Sequence, residues 1–293
     1  MSSKLFIGCS GWNYLDTFQN GGWLNVFYPN KKTKTFAYYS QFFDTVEMIQ
    51  TFYKKHYKKM NKDLFTWLTE IAPEDFKMSV KVPQIITDDK RLNIYRNVID
   101  DVMLFIDKIS PLKNANKLGA IIIRLPPNFT IKEHIQLQDF LYVIKNNSVT
   151  KSYNYAIEFN DRPWDTKGIL NILQHYDVSY VISDGPSQVN LEILINEDYI
   201  TCKSLAVFRI CGRNTYDHMS NYLYSQKELD TLTEKIKKVK DMTDNTFVYF
   251  SNSYGGKAVI NTLQFKQTVN NAPLLETQKN VLDRARKYIS NSV

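Results

Sequence analysis

The sequence predicts an α/β protein built as a single (β/α)8 barrel. Eight short apolar runs recur along the 293 residues, and segments with helical spacing of apolar residues separate most of them. Turn-forming residues follow several runs, including a Pro-Pro pair at Pro126 and a Gly-Gly pair at Gly255. Strands that alternate with helices over about 250 residues are typical of this barrel. A doubly wound open sheet is the alternative, but it usually has fewer strands, and no G-x-G-x-x-G follows the first run.

Each predicted strand is an apolar run that ends near a polar or turn-forming residue. In chain order the predicted strands cover 4–10, 45–52, 76–82, 118–125, 155–159, 178–184, 205–211 and 246–252. The predicted helices cover 36–43, 61–71, 95–109, 131–144, 168–176, 225–239 and 258–269. Because no linker or low-complexity stretch interrupts the pattern, we predict one domain over 1–293, with a C-terminal helical extension at 274–293.

The composition is that of a folded protein from a reducing compartment. With 43% hydrophobic and 23% charged residues, the chain does not have the composition of a disordered protein. No apolar run approaches the ~18–20 residues that cross a bilayer, and the first residues lack the pattern of a signal peptide. The three cysteines have no framework spacing. We therefore expect a cytoplasmic protein without a membrane partner.

The chain is moderately basic, with a net charge of +7 and a pI near 9.0. Three lysine clusters, at 31–34, 54–59 and 235–240, could contact phosphate groups. Acidic residues are interspersed along the chain, so solvated helix faces and loops are the simpler interpretation of these clusters.

Polar residues interrupt nearly every predicted strand close to its C-terminal end. Glu158 is the clearest case, because it lies among apolar residues of a strand that otherwise suits a protein core. In a (β/α)8 barrel these ends meet at one face, where barrel enzymes carry their active sites. We predict a site there; a network of ion pairs that plugs the barrel is the structural alternative. The interrupting residues are Glu47, Lys81, Arg124, Glu158, Asp184, Arg209 and Asn252.

Several motifs occur in an order that resembles the DUF72, or YecE-like, family. They are SGW, FYP, TVEMIQTFY, FKMSVKVP, RLPPNF, AIEFNDRPW, RICGR and YFSNSYGGKAVINTLQF, and they extend over roughly residues 4 to 272. The resemblance implies a TIM-barrel-like fold but no established reaction. A nucleic-acid-processing role has been suspected for such proteins, because the barrel is similar to that of endonuclease IV, and this is an analogy of fold alone.

The resemblance also implies a set of pocket residues in this sequence. They are Trp12, Glu47, Lys81, Glu158, Trp164, Asp184, Arg209 and Asn252. The sequence departs from the family pattern at three positions. It has Cys211 where many relatives have His, Ser251 where a second Asn is frequent, and Asn160 where Arg is common. The missing His weakens the expectation of a general base or metal ligand at that position.

Acid–base chemistry is the first function that these residues predict, with Glu47, Lys81, Glu158 and Asp184 as catalytic candidates. A carboxylate near another carboxylate, or in an apolar pocket, has a raised pKa and acts as a general base. Lys81 would orient it or stabilise an oxyanion. An imine role for Lys81 is opposed by the flanking carboxylates, which are expected to keep the amine protonated.

A metal site is the second function that the same carboxylates could indicate. The four histidines are not at predicted strand ends and are not spaced as ligand pairs, so a multinuclear zinc site is disfavoured. If a metal binds, Glu47, Glu158 and Asp184 would hold Mg²⁺ or Mn²⁺ through oxygen atoms. Lys81 and Arg209 compete for the same carboxylates, so we predict no definite metal or cofactor.

Anion binding is the third function that the sequence predicts. Basic and glycine residues cluster after the seventh and eighth strands, where barrel enzymes often hold phosphate on backbone N–H groups. Trp12 and Trp164 lie in predicted loops, where they could stack on a ligand or pack as a lid. The predicted ligand-binding residues are Trp12, Arg124, Trp164, Arg209, Arg213, Asn252, Gly255 and Gly256.

Three functions therefore remain open at the level of sequence. The first is an enzyme of unknown reaction, such as a hydrolase, lyase or isomerase, that binds a small anionic or phosphorylated substrate at the barrel mouth. The second is a nucleic-acid-binding or processing protein that uses the lysine clusters and aromatic residues around the same mouth. The third is a barrel that binds a ligand without catalysis.

Overall fold

Eight parallel strands close into a barrel in chain order, with β1 paired to β8. The computed structural model describes residues 3–160, 164, 166–185, 199–214 and 220–290. Within these ranges the strands are β1 (Lys4–Ser10), β2 (Thr45–Met48), β3 (Lys77–Lys81), β4 (Leu118–Arg124), β5 (Tyr155–Glu158), β6 (Ser179–Asp184), β7 (Leu205–Ile210) and β8 (Asn245–Phe250). The predicted barrel is confirmed.

Helices surround the barrel. In the described part of the chain they are α1 (Thr35–Tyr39), α2 (Lys54–Tyr57), α3 (Lys62–Ile71), α4 (Val98–Asn114), α5 (His134–Asn146), α6 (Lys167–His175), α7 (Gln226–Lys240), α8 (Lys257–Asn270) and α9 (Glu276–Ser290). None of these helices has the combination of length and apolar character that a bilayer crossing requires.

Most predicted elements lie within a few residues of the observed ones, and β2 is the main exception. The prediction extended it to residue 52, whereas the strand ends at Met48 and a 3-10 turn follows at Ile49–Thr51. The Thr51 hydroxyl lies 2.8 Å from the Met48 carbonyl oxygen, which closes the turn. The short helix α2 then begins within the lysine cluster 54–59, where the sequence predicted no helix.

Local sequence signals determine where the helices begin and which side they bury. Ser225 and Glu228 form a capping box at the start of α7, with each side chain accepting from the other's backbone N–H. The apolar stripe predicted for this helix is buried, including Leu229 and Ile236. At the C-terminus α9 packs on α8, and Arg284 Nε donates to the Val26 carbonyl at 2.9 Å.

The barrel interior is a separate small core of inward-facing side chains, including Phe6, Ile122, Val207 and Tyr249. The glycine at Gly8 is required here, because a Cβ would lie 1.9 Å from the Thr45 carbonyl oxygen. Larger apolar residues on the outer face pack against the helices. The interior is therefore filled by side chains below the C-terminal ends of the strands.

Removing the Tyr249 hydroxyl is expected to weaken this interior core by about 1–2 kcal/mol. The hydroxyl donates to Ser79 Oγ at 2.6 Å and lies 3.0 Å from Thr45 Oγ1, so Tyr249→Phe leaves buried polar atoms without this partner. Urea unfolding of the variant measures the loss. Tyr95→Phe is the matched control, because Tyr95 is 87% exposed and its change should lie within about 0.5 kcal/mol. Equal curves for the two variants would contradict this account of the interior.

Candidate functional site

Strand pairing places one inward-facing polar residue at the C-terminal end of every strand. Side chains alternate between the interior and the helices, and parallel pairing aligns Arg124 with Glu158 and Ser183 with Arg209. Lys81 lies two residues after Ser79, which pairs with Glu47. We call the resulting ring the mouth layer, and its members are Ser10, Glu47, Lys81, Arg124, Glu158, Ser183, Arg209 and Ser251.

Arg209 is the centre of the mouth layer. Its guanidinium contacts both buried carboxylates, with Nε 3.1 Å from Glu47 Oε1 and an Nη atom bonded to Glu158 Oε1. The other Nη donates to Ser251 Oγ at 3.0 Å. Glu47 and Glu158 are 0% and 1% exposed, so Arg209 provides the closest neutralising contact to two charges that are buried in the interior.

Lys81 and Arg124 flank this central arginine and are less completely paired. Lys81 Nζ lies 3.3 Å from Glu47 Oε1, and Arg124 Nε lies 3.7 Å from Glu158 Oε2. The Arg124 side chain is 38% exposed, in contrast to 9% for Arg209. Asn160 holds Arg124 in place, since its Oδ1 accepts from a guanidinium Nη at 3.4 Å.

A pocket of about 140 Å³ opens on the mouth layer. Its lining includes three cationic side chains, Lys81, Arg124 and Arg209, whereas the carboxylates lie behind them. Hydroxyl groups from β1 and the segment after β8 line another side, contributed by Ser10, Ser251 and Ser253. The surface that a ligand meets is therefore cationic and rich in hydrogen-bonding groups.

Aromatic and apolar side chains form the remaining wall of the pocket. Phe52 and Tyr53 follow β2, with ring centroids 5.4 Å apart, and Ile49 lies beside them. Tyr14 lies on the β1 side, where its hydroxyl donates to the Ser10 carbonyl at 2.8 Å. Tyr53 is 48% exposed, so its ring is available at the pocket entrance.

The cations keep both carboxylates ionised. Burial raises the pKa of Glu158, but Arg209, Lys81 and Arg124 outweigh it and lower this pKa to about 2. For Glu47 the same contest between burial and the charges of Arg209 and Lys81 also ends in a lowered pKa. The predicted raised pKa of a general base is therefore wrong for both glutamates.

The same surroundings also lower the pKa of Lys81, which for an amine disfavours the charged form. Burial is the largest influence and lowers its pKa, and the neighbouring Arg209 lowers it further, while Glu47 and Glu158 only partly offset the effect. Thr51 fixes the backbone here, because its hydroxyl accepts from the Lys81 N–H at 3.0 Å. Lys81 is thus a rigidly placed amine whose proton is held less tightly than that of a surface lysine.

Four polar atoms of the mouth layer are buried without a hydrogen-bond partner among the described residues. They are Glu47 Oε1, Arg124 Nε, Glu158 Oε2 and Ser183 Oγ. Buried polar groups are nearly always hydrogen-bonded. Glu47 Oε1, Arg124 Nε and Glu158 Oε2 instead make ion-pair contacts of 3.1 Å or longer, and Ser183 Oγ has no hydrogen bond in the described part of the chain. The mouth layer therefore does not favour the stability of the fold. Groups of residues that depart together from the usual packing rules are typical of functional sites.

Asp184 lies on the other side of the sheet from this layer. It pairs with Ile210 in register, and both residues face the helices. Its carboxylate is bound by Arg213 Nε at 2.9 Å, and Arg213 also contacts Glu228 of α7 at 3.1 Å. The predicted catalytic role for Asp184 and the predicted anion-binding role for Arg213 are therefore not supported by their positions, since the two neutralise each other outside the barrel.

Asn252 and the Gly-Gly turn also lie apart from the mouth layer. Asn252 Nδ2 donates to the Tyr222 carbonyl and to Asn261 Oδ1, each at 2.8 Å. Gly255 and Gly256 have φ values of +60° and +77°, and a Cβ at Gly255 would meet Phe18 at 2.6 Å. The turn packs against the loop after β1, so its backbone is not an open phosphate cradle.

The two tryptophans predicted at the site are packed into the structure. Trp164 is 0% exposed, stacks on Phe129 and Phe159, and donates from Nε1 to the Phe129 carbonyl at 3.1 Å. Trp12 is half-buried and meets Phe36 edge-on, with ring centroids 5.4 Å apart. The expected ligand wall is instead provided by Tyr14, Phe52 and Tyr53.

The comparison with known protein families identifies the chain. The family model described as "Protein of unknown function DUF72" matches residues 6–283. The chain belongs to the DUF72 family. No curated protein matches it.

Solved DUF72 structures have the same overall fold. A DUF72 family protein from Thermotoga maritima is 25% identical, with a TM-score of 0.71 over 91% of this chain and 99% of the other. A DUF72 family protein from Enterococcus faecalis is 22% identical, with a TM-score of 0.71 over 92% of this chain and 99% of the other. These likenesses extend over nearly the whole barrel.

The three positions at which this DUF72 chain departs from the predicted family pattern are all close to the mouth layer. Ser251 belongs to the layer, and Asn160 orients Arg124. Cys211 follows β7, and burial raises the pKa of its thiol, so the thiol is protonated at neutral pH.

The predicted Mg²⁺ or Mn²⁺ site of Glu47, Glu158 and Asp184 is not assembled, because Asp184 faces away from the other two carboxylates. In the ranges that the structure describes, no group of three His, Cys, Asp or Glu side chains converges.

Proposed function

We propose that the mouth of this DUF72 barrel binds a small anionic or phosphorylated ligand. The observation that supports this most directly is the charge of the mouth layer, where three cations face two carboxylates and leave a net charge of +1. This excess charge lines a pocket rather than solvent-exposed surface, so an anion there would meet cations at close range in a partly desolvated site.

Arg124 would be the principal anchor of the anion. Arg209 is committed to Glu47, Glu158 and Ser251, which leaves little hydrogen-bonding capacity for a ligand. Arg124 has a long contact to Glu158 and a side chain that is 38% exposed, and a guanidinium fork suits carboxylate and phosphate oxygens. Of the two predicted ligand-binding arginines of the mouth layer, Arg124 is therefore the better anchor, with Lys81 beside it.

The pocket volume limits the part of the ligand that is enclosed. About 140 Å³ corresponds to the space of about five water molecules, which suits a phosphate or carboxylate head group with one or two further atoms. The rest of a larger ligand would leave the pocket along the aromatic wall, where Tyr53 is half exposed. Lys81 would be the group that exchanges a proton with the enclosed part, because the two glutamates stay ionised.

The Arg124→Met variant tests this assignment. We expect it to weaken binding of phosphate, phosphoglycolate or a similar small anion at least about tenfold, since a charge-assisted hydrogen bond is worth about 1.5–3 kcal/mol. Thermal shift and calorimetric titration at low salt measure the affinity. Arg96→Met is the matched control, because Arg96 also follows β3 on the mouth side but does not line the pocket.

Three results of this titration have different meanings. Loss of binding in Arg124→Met alone supports the proposal, and equal loss in both variants contradicts the assigned anchor.

The third result would favour the alternative function, nucleic-acid binding. The lysine clusters 31–34 and 54–59 follow β1 and β2 and so flank the mouth, whereas 235–240 ends α7 toward the opposite face. Tight, strongly salt-dependent binding of an oligonucleotide, with no binding of small anions, would favour that alternative.

A further inference from the structure

Lys81 has an environment that the anion-binding role alone does not require. The residue ends β3, is 5% exposed, and lines the pocket from within the mouth layer. A lysine that only attracts anions can work at the pocket rim, where its charge costs little to hydrate. Burying an ammonium group costs several kcal/mol unless its surroundings compensate.

The compensation at Lys81 is incomplete. An ammonium has three N–H donors, and among the described residues its one ion pair is with Glu47 at 3.3 Å. Both carboxylates make closer contacts to Arg209. The sequence predicted that these carboxylates would keep Lys81 protonated, whereas in the structure Arg209 takes most of their charge and itself lies close to Lys81.

Two cations near a desolvated lysine favour its neutral form. Arg209 and Arg124 both lower the pKa of Lys81, after burial as the largest influence. A lysine that is desolvated or next to another cationic group is the setting in which lysines act as nucleophiles toward carbonyl compounds. Arg124 beside it would hold an anionic group of the same ligand.

We propose that the Lys81 amine forms an imine with an aldehyde or ketone group of the anionic ligand. This rests on the proposed function and narrows its ligand to a small anionic carbonyl compound, such as a 2-oxo acid or a phosphorylated aldehyde or ketone. The pocket has room for the anionic group and the adjacent carbonyl.

The steps balance without any further reactant. The Lys81 ammonium, whose pKa is lowered, gives one proton to solvent water at the open pocket, and the freed nitrogen lone pair attacks the carbonyl carbon. The carbonyl oxygen takes up a second proton from the nitrogen to give a carbinolamine. The proton held by the solvent then returns to this oxygen, the C–O bond breaks, and water leaves. The net reaction is ammonium plus carbonyl to protonated imine plus water, and both protons of that water come from the ammonium group.

Borohydride trapping tests this inference. The protein is incubated with pyruvate or glyoxylate, sodium borohydride is added, and hydride transfer to the imine carbon leaves a stable secondary amine. We expect one dominant adduct by intact mass, mapped by peptide sequencing to Lys81. The adduct should be lost in Lys81→Arg and retained in Lys257→Arg. Lys257 is the matched control, because it also lies after a strand at this face and burial also lowers its pKa.

The outcomes separate this inference from the proposed function. Adducts distributed over surface lysines, an adduct at Lys257 that exceeds that at Lys81, or no adduct would overturn the imine. Anion binding that depends on Arg124 would survive each of those results. Mapping the adduct on the wild-type protein tests the imine even if the Lys81→Arg variant does not fold. Trapping of pyruvate, but not of uncharged acetone, should also fall in Arg124→Met, and equal trapping of both in that variant would contradict the anionic ligand.

Discussion

The Arg209→Met variant is expected to lose about 3–5 kcal/mol of unfolding free energy. Arg209 neutralises two carboxylates that are almost completely buried, and without it their ion pairs among the described residues are the longer ones to Lys81 and Arg124. Since small domains are stable by about 5–15 kcal/mol, the variant should fold with a much lower urea midpoint. Equilibrium urea unfolding at neutral pH measures the change.

A second variant separates the effect of the unpaired charges on stability from the effect of lost side-chain packing. Replacing all four buried charges, as Glu47→Gln, Lys81→Met, Glu158→Gln and Arg209→Met together, should recover a large part of the stability, because no unpaired buried charge then remains in the mouth layer. Lys62→Met is the comparison at the surface, where the ion pair with Asp107 is 51% and 65% exposed and we expect a change of no more than about 1 kcal/mol. An Arg209→Met variant within about 1 kcal/mol of the wild type would show that the layer is not held by this charge balance.

Glu158 should give the protein an acid-dependent loss of stability. Its folded pKa is about 2, below the ordinary value of 4.5, so the unfolded chain binds the proton more readily. The stabilisation is fully present above about pH 4.5 and is lost as the pH falls through the folded pKa near 2. Its size is on the order of 3 kcal/mol at neutral pH. Urea unfolding at a series of pH values should therefore show Glu158→Gln less stable at pH 7 and converging on the wild type near pH 2.

Glu234→Gln is the control for this pH dependence. Glu234 is exposed on α7, and its variant should follow the wild-type curve throughout. A Glu158→Gln variant whose acid curve parallels that of the wild type, with a constant difference, would mean that the carboxylate does not depend on the three cations.

The strands were predictable because each one satisfies a simple local rule. KLFIGCS is a buried run bounded by polar residues, and the structure has β1 at these residues. The sequence also predicted that the polar residues near the strand ends lie at one end of the barrel. Five of them meet at the mouth: Glu47, Lys81, Arg124, Glu158 and Arg209. What the sequence could not supply was the face of each strand, because one residue of offset moves a side chain to the other side of the sheet.

Asp184 and Asn252 show the effect of that offset. In both cases a serine precedes a more conspicuous residue, and it is Ser183 and Ser251 that face inward. The charge of Asp184 suggested a catalytic group, yet its partner Arg213 comes from the segment after β7 and could not be inferred from local sequence. Counting two residues forward from Tyr249, which faces the interior, would have identified Ser251 as the inward residue.

The aromatic wall and the packed tryptophan depended on tertiary contacts. Trp164 was predicted at the site because it closely follows Glu158, but Phe129 and Phe159 enclose it. Tyr14 and Phe52, which do line the pocket, have no local motif that distinguishes them from core residues. Burial of a large aromatic ring outweighs position in the chain, and only the folded structure shows which rings remain accessible.

The most direct test of a cationic mouth is a crystal structure with an anomalously scattering anion. Crystals soaked in selenate, a phosphate-sized anion, should show an anomalous peak in the pocket, within hydrogen-bonding distance of Arg124 and Lys81. An Arg124→Met crystal treated in the same way should lack this peak. Peaks confined to surface lysines or to the Gly255–Gly256 turn, with none in the pocket, would contradict the central claim that the mouth layer binds a small anion.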